Sequence, residues 1–403
     1  LARFAPSLRV VWVTSGDGLA RAPRGPRDVV VISYGLVARA VDAFEDAELA
    51  TLVLDEAQYL KNHGAQRTRA ARRIPRRFTI ALTGTPLENH LGDLHSLMDQ
   101  TNPGLLGTAD SFRTSFREPI EADRNHPLLA GLVRMIAPFI LRRTRKEVLS
   151  ELPPRQDVTQ LVELSKEEAR RYAALRRACE LALLASKRER RRDADTRLEL
   201  LAAITRLRQM ASDVALVDPE WKHGSSKLDV ATDLCVSLAR EGNRALVFSQ
   251  FIGLLEGAAR RLREAGLRVV VLTGQTPATE RAELIASFQR GEHDVFCISL
   301  KAGGTGINLT HANYVVHVDP WWNPAVEEQA TARAHRMGQR EPVTVYRLVS
   351  RGTIEEAILE LHARKRDLAN AILDGTSGAG GAGTAGGLDD DELLDLVRFA
   401  PTS

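Results

Sequence analysis

Short apolar runs alternate with amphipathic segments of helical length through the second half of the chain, and this alternation limits the possible folds more than any other feature. The runs are Arg244–Ser249, Leu267–Leu272, Val295–Ser299 and Val343–Leu348. Strands separated by helices in this way predict a parallel sheet with crossover helices. The sequence therefore predicts an α/β protein.

The first hundred residues contain runs of the same kind, at Leu8–Val13, Asp28–Ser33, Leu49–Leu54 and Phe78–Leu82. Leu49–Leu54 is apolar on both faces, which predicts a central strand of a parallel sheet. Strand patterns disappear between residues 90 and 225, where long helical patterns dominate. Residues 375–387 are almost entirely Gly, Ala, Ser and Thr, which predicts a flexible linker. Asp389–Phe399 then predicts a short docking helix.

Composition excludes several classes of protein. The 403 residues, 44% of them hydrophobic, support two or three domains with proper cores. Net charge is only +3, although 55 basic and 52 acidic residues leave room for local asymmetry. Cys179, Cys235 and Cys297 are far apart and suggest neither a disulfide framework nor a zinc site. No run approaches the ~18 apolar residues of a membrane span, so we expect a cytoplasmic protein that does not contact membranes.

Two adjacent acids, Asp55 and Glu56, directly follow the Leu49–Leu54 run. Open parallel sheets place their ligands at the carboxyl ends of the strands. One carboxylate there can hold Mg²⁺ while its neighbour orients an attacking water. The alternative is a helix N-terminus enriched in acids, and we favour the magnesium site because of the strand that follows.

That strand, Phe78–Leu82, leads into Thr83-Gly-Thr-Pro-Leu-Glu-Asn89. Small hydroxylated residues on such a turn can contact a nucleotide phosphate or a nucleic-acid backbone. Thr85 also precedes Glu88 by three positions, with Pro86 between them, which is the pattern of a helix N-cap. Both interpretations can hold together.

The stretch Ser299–Gln339 combines a glycine-rich turn, an apolar strand, a tryptophan pair and two arginines. We expect Arg333 and Arg336, three positions apart, to share one face of a helix, where their guanidinium groups could grip phosphate oxygens. The glycines of residues 302–306 let backbone N–H groups approach a ligand. Each part alone is more often a plain turn or a solvated helix face; together they indicate half of a nucleotide-driven motor.

In combination, these motifs resemble those of the SWI/SNF-type DNA-dependent ATPases of helicase-like superfamily two. The supporting segments are Asp55–Gln58, Leu82–Asn89, Leu141–Thr144, Ser226–Leu228, Leu246–Phe251, residues 299–339 and Thr353–Glu356. The resemblance extends to about residue 373. It implies two RecA-like parallel-sheet lobes, the first one incomplete, with helical insertions between them. Heavy use of Ala and Arg is more typical of bacterial members, which argues against a nucleosome as the substrate.

The resemblance also implies a domain order. Residues 1–100 would be the C-terminal part of the first lobe, and residues 101–225 a helical insertion and interlobe linker. Residues 226–373 would be the second lobe with its closing helix. Residues 374–403 would be the flexible linker and a short acidic helix.

For the first lobe, the resemblance implies that Asp55 coordinates Mg²⁺ and that Glu56 activates water for ATP hydrolysis. Gln58, by the same resemblance a nucleotide-binding residue together with Thr83, Gly84 and Gln329, stands where many relatives have His, which leaves its coupling contact open. Thr83, Gly84 and Thr85 would link nucleotide state to DNA grip, with Thr85 on the DNA side.

For the second lobe, Arg333 and Arg336 would be arginine fingers, with Gln329 and Gln339 bracketing them. The resemblance places Gly303, Gly304 and Gly306 along the nucleotide cleft, Lys301 at the DNA backbone and Trp322 at the DNA edge. For Trp321, core packing and a DNA role are equally supported.

One motif of the family is absent: no GxxxxGK[ST] phosphate loop occurs in these residues. Without its N–H cradle and lysine, the triphosphate loses its main grip. We therefore expect the complete protein to be an ATPase that uses ATP and Mg²⁺, and this chain alone to be inactive. An incomplete first lobe would also expose the edge of its sheet.

The expected activity is translocation on double-stranded DNA, independent of base sequence and sensitive to salt. A DNA-bound protein target is a further expected partner. A strand-separating helicase and a non-catalytic DNA-binding or regulatory fragment are the alternatives.

Overall fold

The computed structural model describes residues 4–20, 22, 25–46, 49–84, 91–123, 126–143, 148–149, 151–188, 193–303, 307–361, 363 and 390–399. These residues divide into two compact units. Described residues up to Phe139 form unit 1, and those from Ile140 onward form unit 2. No helix among the described residues is long and apolar enough to cross a membrane.

Unit 1 contains two small parallel sheets. Strand β1 (Arg9–Val13) pairs with β2 (Asp28–Ile32), and β3 (Leu49–Leu54) pairs with β4 (Arg76–Ala81). The α-helices of this unit are α1 Gly16–Ala20, α2 Tyr34–Arg39, α3 Gln66–Arg73, α4 Leu91–Thr101, α5 Ala109–Phe112, α6 Glu118–Ala122 and α7 Leu128–Ile136. A π-helical turn, Arg113–Arg117, joins α5 to α6.

The prediction that Leu49–Leu54 is a central strand is wrong, because among the described residues it pairs only with β4, and it is not buried on both faces. Leu54 is buried, but Val53 is 53% exposed, and Phe78 on the partner strand is 61% exposed. The register pairs Thr51 with Phe78 and Val53 with Ile80, so these side chains share one face. No described helix covers that face, which explains why apolar residues of a strand-like run remain in contact with solvent.

Unit 2 is built on a six-stranded sheet in which every pairing is parallel. Its spatial order is β5-β10-β9-β6-β8-β7. The strands are β5 Arg155–Val162, β6 Ala245–Ser249, β7 Val269–Leu272, β8 Val295–Ser299, β9 Tyr314–His317 and β10 Val343–Ser350. Alternate residues of β6 enter opposite cores, since Val247 packs in one apolar cluster and Leu246 and Phe248 pack in another.

Helices fill the connections of unit 2. They are α8 Lys166–Arg188, α9 Asp193–Ser212, α10 Ser226–Arg240, α11 Ile252–Glu264, α12 Ala278–Gln289, α13 Leu300–Gly303, α14 Pro324–Thr331, α15 over residues 354–361 and α16 Asp390–Arg398. Short 3-10 turns occur in unit 1 at Val41–Phe44, Ala57–Leu60 and Ala137–Phe139, and in unit 2 at Val214–Leu216.

The prediction that residues 90–225 contain no strand is wrong at β5, which pairs with β10 along its whole length. Its sequence, RQDVTQLV, lacks a continuous apolar run because it lies at the edge of the sheet. Arg155 and Asp157 form an ion pair on it, and Arg347 of β10 also bonds Asp157. Charged pairs, one within β5 and one across to β10, therefore replace the apolar signal that marks the other strands.

The predicted docking helix is confirmed as α16, which packs against α8 and α9. Leu393, Leu394 and Val397 are buried in the cluster that these helices share. Arg176 of α8 donates hydrogen bonds to the carbonyl oxygens of Arg398 and Phe399, at 3.1 and 3.0 Å. These bonds satisfy carbonyl groups that the end of a helix leaves without internal partners.

Candidate functional site

The acid pair of unit 1 lies at the carboxyl end of β3, where the sequence predicts it. The Asp55 side chain is exposed, and its Oδ1 accepts a hydrogen bond from the Glu56 N–H at 3.0 Å. The Tyr34 hydroxyl donates to the Asp55 carbonyl oxygen at 2.7 Å. Burial, together with the charges of Asp55 and Glu56, raises the pKa of Tyr34, so its hydroxyl remains a neutral donor.

Glu56 adopts a left-handed backbone conformation, with φ 50° and ψ 50°. Among the described non-glycine residues only Arg27 shares a positive φ. A side chain with a Cβ is disfavoured there, and such strain is concentrated at functional positions. The chain leaves the strand direction immediately after Asp55 and enters the 3-10 turn Ala57–Leu60.

Backbone hydrogen bonds hold the acid segment beside the Thr83-Gly84 segment. The Leu82 N–H donates to the Leu54 carbonyl oxygen at 2.8 Å, and the Ala57 N–H donates to the Leu82 carbonyl oxygen at 2.9 Å. The ladder between β3 and β4 thus continues past both strand ends. It places two predicted nucleotide segments side by side.

Gln58 joins these two segments through its side-chain amide. Its Nε2 donates to Glu56 Oε2 at 2.6 Å, and its Oε1 accepts from the Thr83 hydroxyl at 2.7 Å. A carboxylate can only accept, and so the amide must direct its nitrogen to Glu56 and its oxygen to Thr83. Gln58 therefore supplies a contact between the acid pair and the threonine segment, a contact that the sequence alone left open.

The residues at this edge fit a magnesium ion. Among the described residues no group of three or more His, Cys, Asp or Glu side chains could hold a metal by itself. Mg²⁺ commonly takes only one or two carboxylates and keeps waters and substrate phosphates as its other ligands. The exposed carboxylate of Asp55 is of the required type, and its assignment to the ion remains a prediction.

In unit 2 the two arginines do not share a helix face, so that prediction is wrong. Helix α14 ends at Thr331, and both arginines follow it. Arg333 is 7% exposed, whereas Arg336 is exposed. The Thr331 hydroxyl is 3.0 Å from Nε2 of buried His317, and the Leu309 N–H donates to the Arg333 carbonyl oxygen at 2.9 Å. These contacts hold the chain in turns where the composition favours helix.

The flanking glutamines have different surroundings. Gln329 lies on α14 and is half-buried. Gln339 is buried, and its amide nitrogen donates to the Ala312 carbonyl oxygen at 2.7 Å. Its amide oxygen accepts from the N–H groups of Arg340 and Glu341. Gln339 therefore fixes the end of the arginine segment against the loop before β9.

The remaining predicted site residues are only partly described. Thr85, Gly304 and Gly306 lie outside the described residues. The structure describes only the helical backbone of Lys301 and Gly303. Gly84 is exposed, and a Cβ there would meet nothing within 4 Å. No steric demand for glycine is thus visible at position 84, and its nucleotide role stays a prediction.

Trp321 and Trp322 are both half-buried, and they pack against different apolar clusters. Core packing, one of the two interpretations for Trp321, is confirmed, since it contacts the cluster beneath β6 and β8. Trp322 packs against the cluster shared by α8, α9 and α16. The contact of Trp322 with DNA stays a prediction, and only the solvent-exposed part of its side chain is available for such a contact.

Sequence reasoning did not foresee how residues of the Ser226–Leu228 and Thr353–Glu356 motifs would meet. Lys227 and Glu355, each 1% exposed, form a buried ion pair. Glu355 also accepts from the Ser212 hydroxyl at 3.1 Å and from the Ser350 N–H at 2.8 Å. Two motifs far apart in sequence therefore meet at one buried ion pair. In the sequence, only the presence of both motifs could have indicated this contact.

The model of the SNF2-related domain matches residues 1–216, and that of the helicase conserved C-terminal domain matches residues 226–338. The chain belongs to the SNF2-related family. The second match begins at residue 226, the first residue of α10.

Two relatives agree with this assignment. The chain is 36% identical over 392 residues to the Bacillus subtilis protein whose name is "Putative ATP-dependent helicase/translocase YwqA". The alignment covers 93% of this chain and 41% of YwqA. It is 32% identical over 421 residues to the human SWI/SNF-related matrix-associated actin-dependent regulator of chromatin subfamily A member 1, covering 99% of this chain and 39% of that protein. The chain thus spans about two fifths of the length of these relatives.

Among solved structures, the Sulfolobus solfataricus SWI2/SNF2 ATPase core domain is 29% identical, with a TM-score of 0.50. The match covers 100% of this chain and 81% of that one. The predicted fold class, an α/β protein with RecA-like parallel-sheet lobes and helical insertions, is confirmed.

Proposed function

We propose that the complete protein is an ATP-dependent motor that moves along double-stranded DNA. The observation that carries the proposal is the chain of hydrogen bonds from Glu56 through Gln58 to Thr83. It gives the residue expected to activate water a direct connection to the segment expected to respond to nucleotide and DNA. A site that only bound a nucleotide would not need this connection.

In the proposed mechanism, Asp55 holds Mg²⁺, which would neutralise charge on the ATP phosphates when bound. Glu56 orients the attacking water and accepts its proton, while the Gln58 amide holds the Glu56 carboxylate in place. Arg333 and Arg336 act on the same hydrolysis step by stabilising negative charge as it develops on the phosphates. Thr83 transmits the state of Glu56 to the segment that contains Thr85.

Gly84, Gly304, Gly306 and Gln329 are proposed to line the nucleotide. Lys301, Thr85 and Trp322 are proposed to contact DNA, chiefly through phosphates, so that binding does not depend on base sequence. The name of YwqA, which includes both helicase and translocase, supports a motor on DNA. We further propose that these 403 residues alone hydrolyse ATP at a negligible rate, because they contain no GxxxxGK[ST] phosphate loop.

The hydrogen-bond chain is tested with Gln58→Ala and Gln58→His in the full-length protein. We expect Gln58→Ala to lower kcat for DNA-stimulated ATP hydrolysis by about tenfold or more, because Glu56 loses its positioning partner. An imidazole can still contact either neighbour, so Gln58→His should retain more activity. Gln275→Ala, at an exposed position in unit 2, is the control. Equal kcat for Gln58→Ala and Gln275→Ala would remove the main support for the proposal.

The type of motor is decided with the same full-length protein. Wild type should hydrolyse ATP faster with double-stranded DNA, and Glu56→Gln should abolish that hydrolysis. The wild-type protein should also displace a triplex-forming strand from duplex DNA without separating the two strands of the duplex. Efficient release of a labelled duplex strand would instead identify a strand-separating helicase. DNA binding without any ATP hydrolysis would identify a non-catalytic DNA-binding or regulatory protein.

A further inference from the structure

Arg208 is a buried arginine on a helix on which Arg197 and Arg206 are exposed. It lies near the end of α9 and is 4% exposed. Its Nη2 donates to the Pro320 carbonyl oxygen at 2.6 Å. Because removing a guanidinium from water is unfavourable, a buried arginine needs specific partners.

Aromatic rings provide most of those partners. The guanidinium carbon of Arg208 lies 5.7 Å from the ring centroid of Phe251, 5.9 Å from that of Trp321 and 5.6 Å from that of Trp322. A planar cation close to several aromatic rings is held both by stacking and by attraction to the ring quadrupoles. Burial lowers the pKa of Arg208, while nearby Asp319 and Glu355 oppose that shift, and an arginine stays protonated in such a site.

The tryptophan turn that Arg208 contacts begins helix α14. The backbone N–H of Trp321 donates to Glu327 Oε1 at 2.7 Å. The Asn323 side chain caps the helix, because its Oδ1 accepts from the backbone N–H of Ala325 at 3.0 Å. Glu327 is itself bonded to Arg347 of β10 at 3.1 Å. The start of α14 is therefore fixed both to the sheet and to α9.

The other end of this eight-residue helix positions the arginine segment. The Arg333 N–H donates to the Ala330 carbonyl oxygen at 3.0 Å, directly after the last turn of α14. The eight residues of α14, about two turns of helix, connect the tryptophan turn to the arginine segment through continuous backbone hydrogen bonds. Any displacement of the tryptophan turn would therefore be passed to Arg333.

We propose that Arg208 is a positioning residue for Arg333, acting through the tryptophan turn and α14. The inference rests on the proposed function, because it takes Arg333 to act on ATP. It gives the α8–α9 hairpin a role that its sequence, a helical insertion with a dense charge run, does not suggest. In this proposal the hairpin carries Arg208, which holds the tryptophan turn in place and so fixes the position of the arginine segment relative to the sheet.

The first test uses tryptophan fluorescence and does not depend on activity. In a Trp12→Phe background, which removes a 75% exposed tryptophan, Arg208→Met, Arg208→Lys and the control Arg206→Met are compared by acrylamide quenching. Arg208→Met should raise the quenching constant of the remaining tryptophans by about twofold, because Trp321 and Trp322 lose the guanidinium group that contacts both rings. Arg208→Lys should give an intermediate value, and Arg206→Met no change.

The second test measures ATP hydrolysis by the full-length protein. Arg208→Met should lower kcat by about tenfold with KM for ATP within twofold of wild type, since an arginine finger acts mainly on the transition state. Arg206→Met should match wild type. If Arg208→Met does not fold by circular dichroism, Arg208→Lys carries the test, with a smaller loss of kcat.

The outcomes separate this inference from the proposed function. Unchanged quenching, or raised quenching with unchanged kcat, overturns the role of Arg208. A proportional rise in KM with constant kcat also overturns it, because it indicates a general loss of binding. Absence of DNA-stimulated hydrolysis in wild type instead contradicts the proposed function, and in that case an unchanged quenching constant would still reject the contact itself.

Discussion

Glu56 combines a chemical role with an unfavourable backbone conformation. A left-handed residue with a Cβ is less stable than glycine there by about 1 kcal/mol, and the hydrogen bond from Gln58 helps to hold it. In this conformation the Glu56 carboxylate accepts a hydrogen bond from the Gln58 amide, which in turn contacts Thr83. Stability and activity are therefore opposed at this position.

This opposition predicts an order of stabilities. Glu56→Ala and Glu56→Gly both lose the bond to Gln58, but only glycine relieves the strain. We expect Glu56→Gly to exceed Glu56→Ala in free energy of unfolding by about 1 kcal/mol, measured by urea titration. Both variants should be inactive in the full-length protein. A Glu56→Gly protein no more stable than Glu56→Ala would show that the turn is unstrained.

His317 should make unit 2 sensitive to acid. It is fully enclosed, and burial, with the charges of Arg347 and Arg155, lowers its pKa to about 3. The unfolded chain binds a proton at the ordinary histidine pKa of ~6.5, whereas the folded protein does not until far lower pH. This contribution to stability is present above pH ~6.5 and is lost as pH falls toward 3, at about 1.4 kcal/mol per pH unit.

The buried acids oppose this trend, because burial raises the pKa of Asp319 and that of Glu327. They bind protons more readily when folded and so favour the native state as pH falls. The comparison of wild type with His317→Leu isolates the histidine. Between pH 6.5 and 4, the free energy of unfolding should fall less steeply for the variant, and parallel curves would contradict the assignment.

Residue chemistry could be predicted more fully than residue geometry. The acid pair lies where the Leu49–Leu54 run places it, because the end of a strand is a local property. The connection through Gln58 could not be predicted, since it requires Thr83, 25 positions away, to lie opposite. Tyr34 and Arg208 were missed for the same reason: their partners are distant in sequence.

At the scale of elements, α16 shows how a short acidic segment acquires a fixed place. Its buried side consists of Leu393, Leu394, Leu396 and Val397, and Arg398 of the same helix pairs with Glu180 of α8. A nine-residue helix is only marginally stable alone. Packing against α8 and α9 therefore supplies most of its stability.

This predicts a large effect from one substitution in α16. Val397, which is 0% exposed, becomes a buried unpaired charge in Val397→Asp and should destabilise the helical cluster by about 3 kcal/mol or detach α16. Amides of residues 390–398 should then exchange hydrogen rapidly. Asp395→Asn, on the exposed side of the same helix, is the matched control and should change stability by less than about 0.5 kcal/mol.

Element boundaries were predicted well where the apolar pattern is strong and poorly where tertiary contacts decide. Most strands of unit 2 lie within two residues of their predicted ends. The end of α14 has no local signal, because residues 325–337 all tolerate helix. His317 and Leu309 end it from outside. Strand β5 was missed because its charged pairs resemble a solvated segment.

At the scale of the whole molecule, the two units differ in how the faces of their sheets are covered. Unit 2 has apolar clusters on both faces of its sheet. Unit 1 leaves Trp12, Val53, Phe78 and Leu82 substantially exposed. Exposed apolar patches of this kind indicate a surface that takes part in further contacts.

The difference predicts separate unfolding behaviour. Residues 140–403, expressed alone, should be monomeric and should unfold in one cooperative step. Residues 1–139 should bind the dye ANS and associate at micromolar concentration, and Phe78→Ser should reduce both effects. Calorimetry and analytical ultracentrifugation measure these outcomes. A monomeric fragment of residues 1–139 that does not bind ANS would contradict the interpretation of its exposed face.

The sheet order of unit 2 has a consequence for the timing of its synthesis. Strand β5 leaves the ribosome first among the six strands, yet within the sheet its neighbour is β10, the last to be made. Strands β6, β7, β8 and β9 can assemble while β10 is still being translated, but β5 has to wait. The buried pair of Lys227 with Glu355 is completed even later. Until β10 has been made, β5 therefore has no partner strand in the sheet and is open to chaperones, and the sheet is completed when the first strand of the unit pairs with the last.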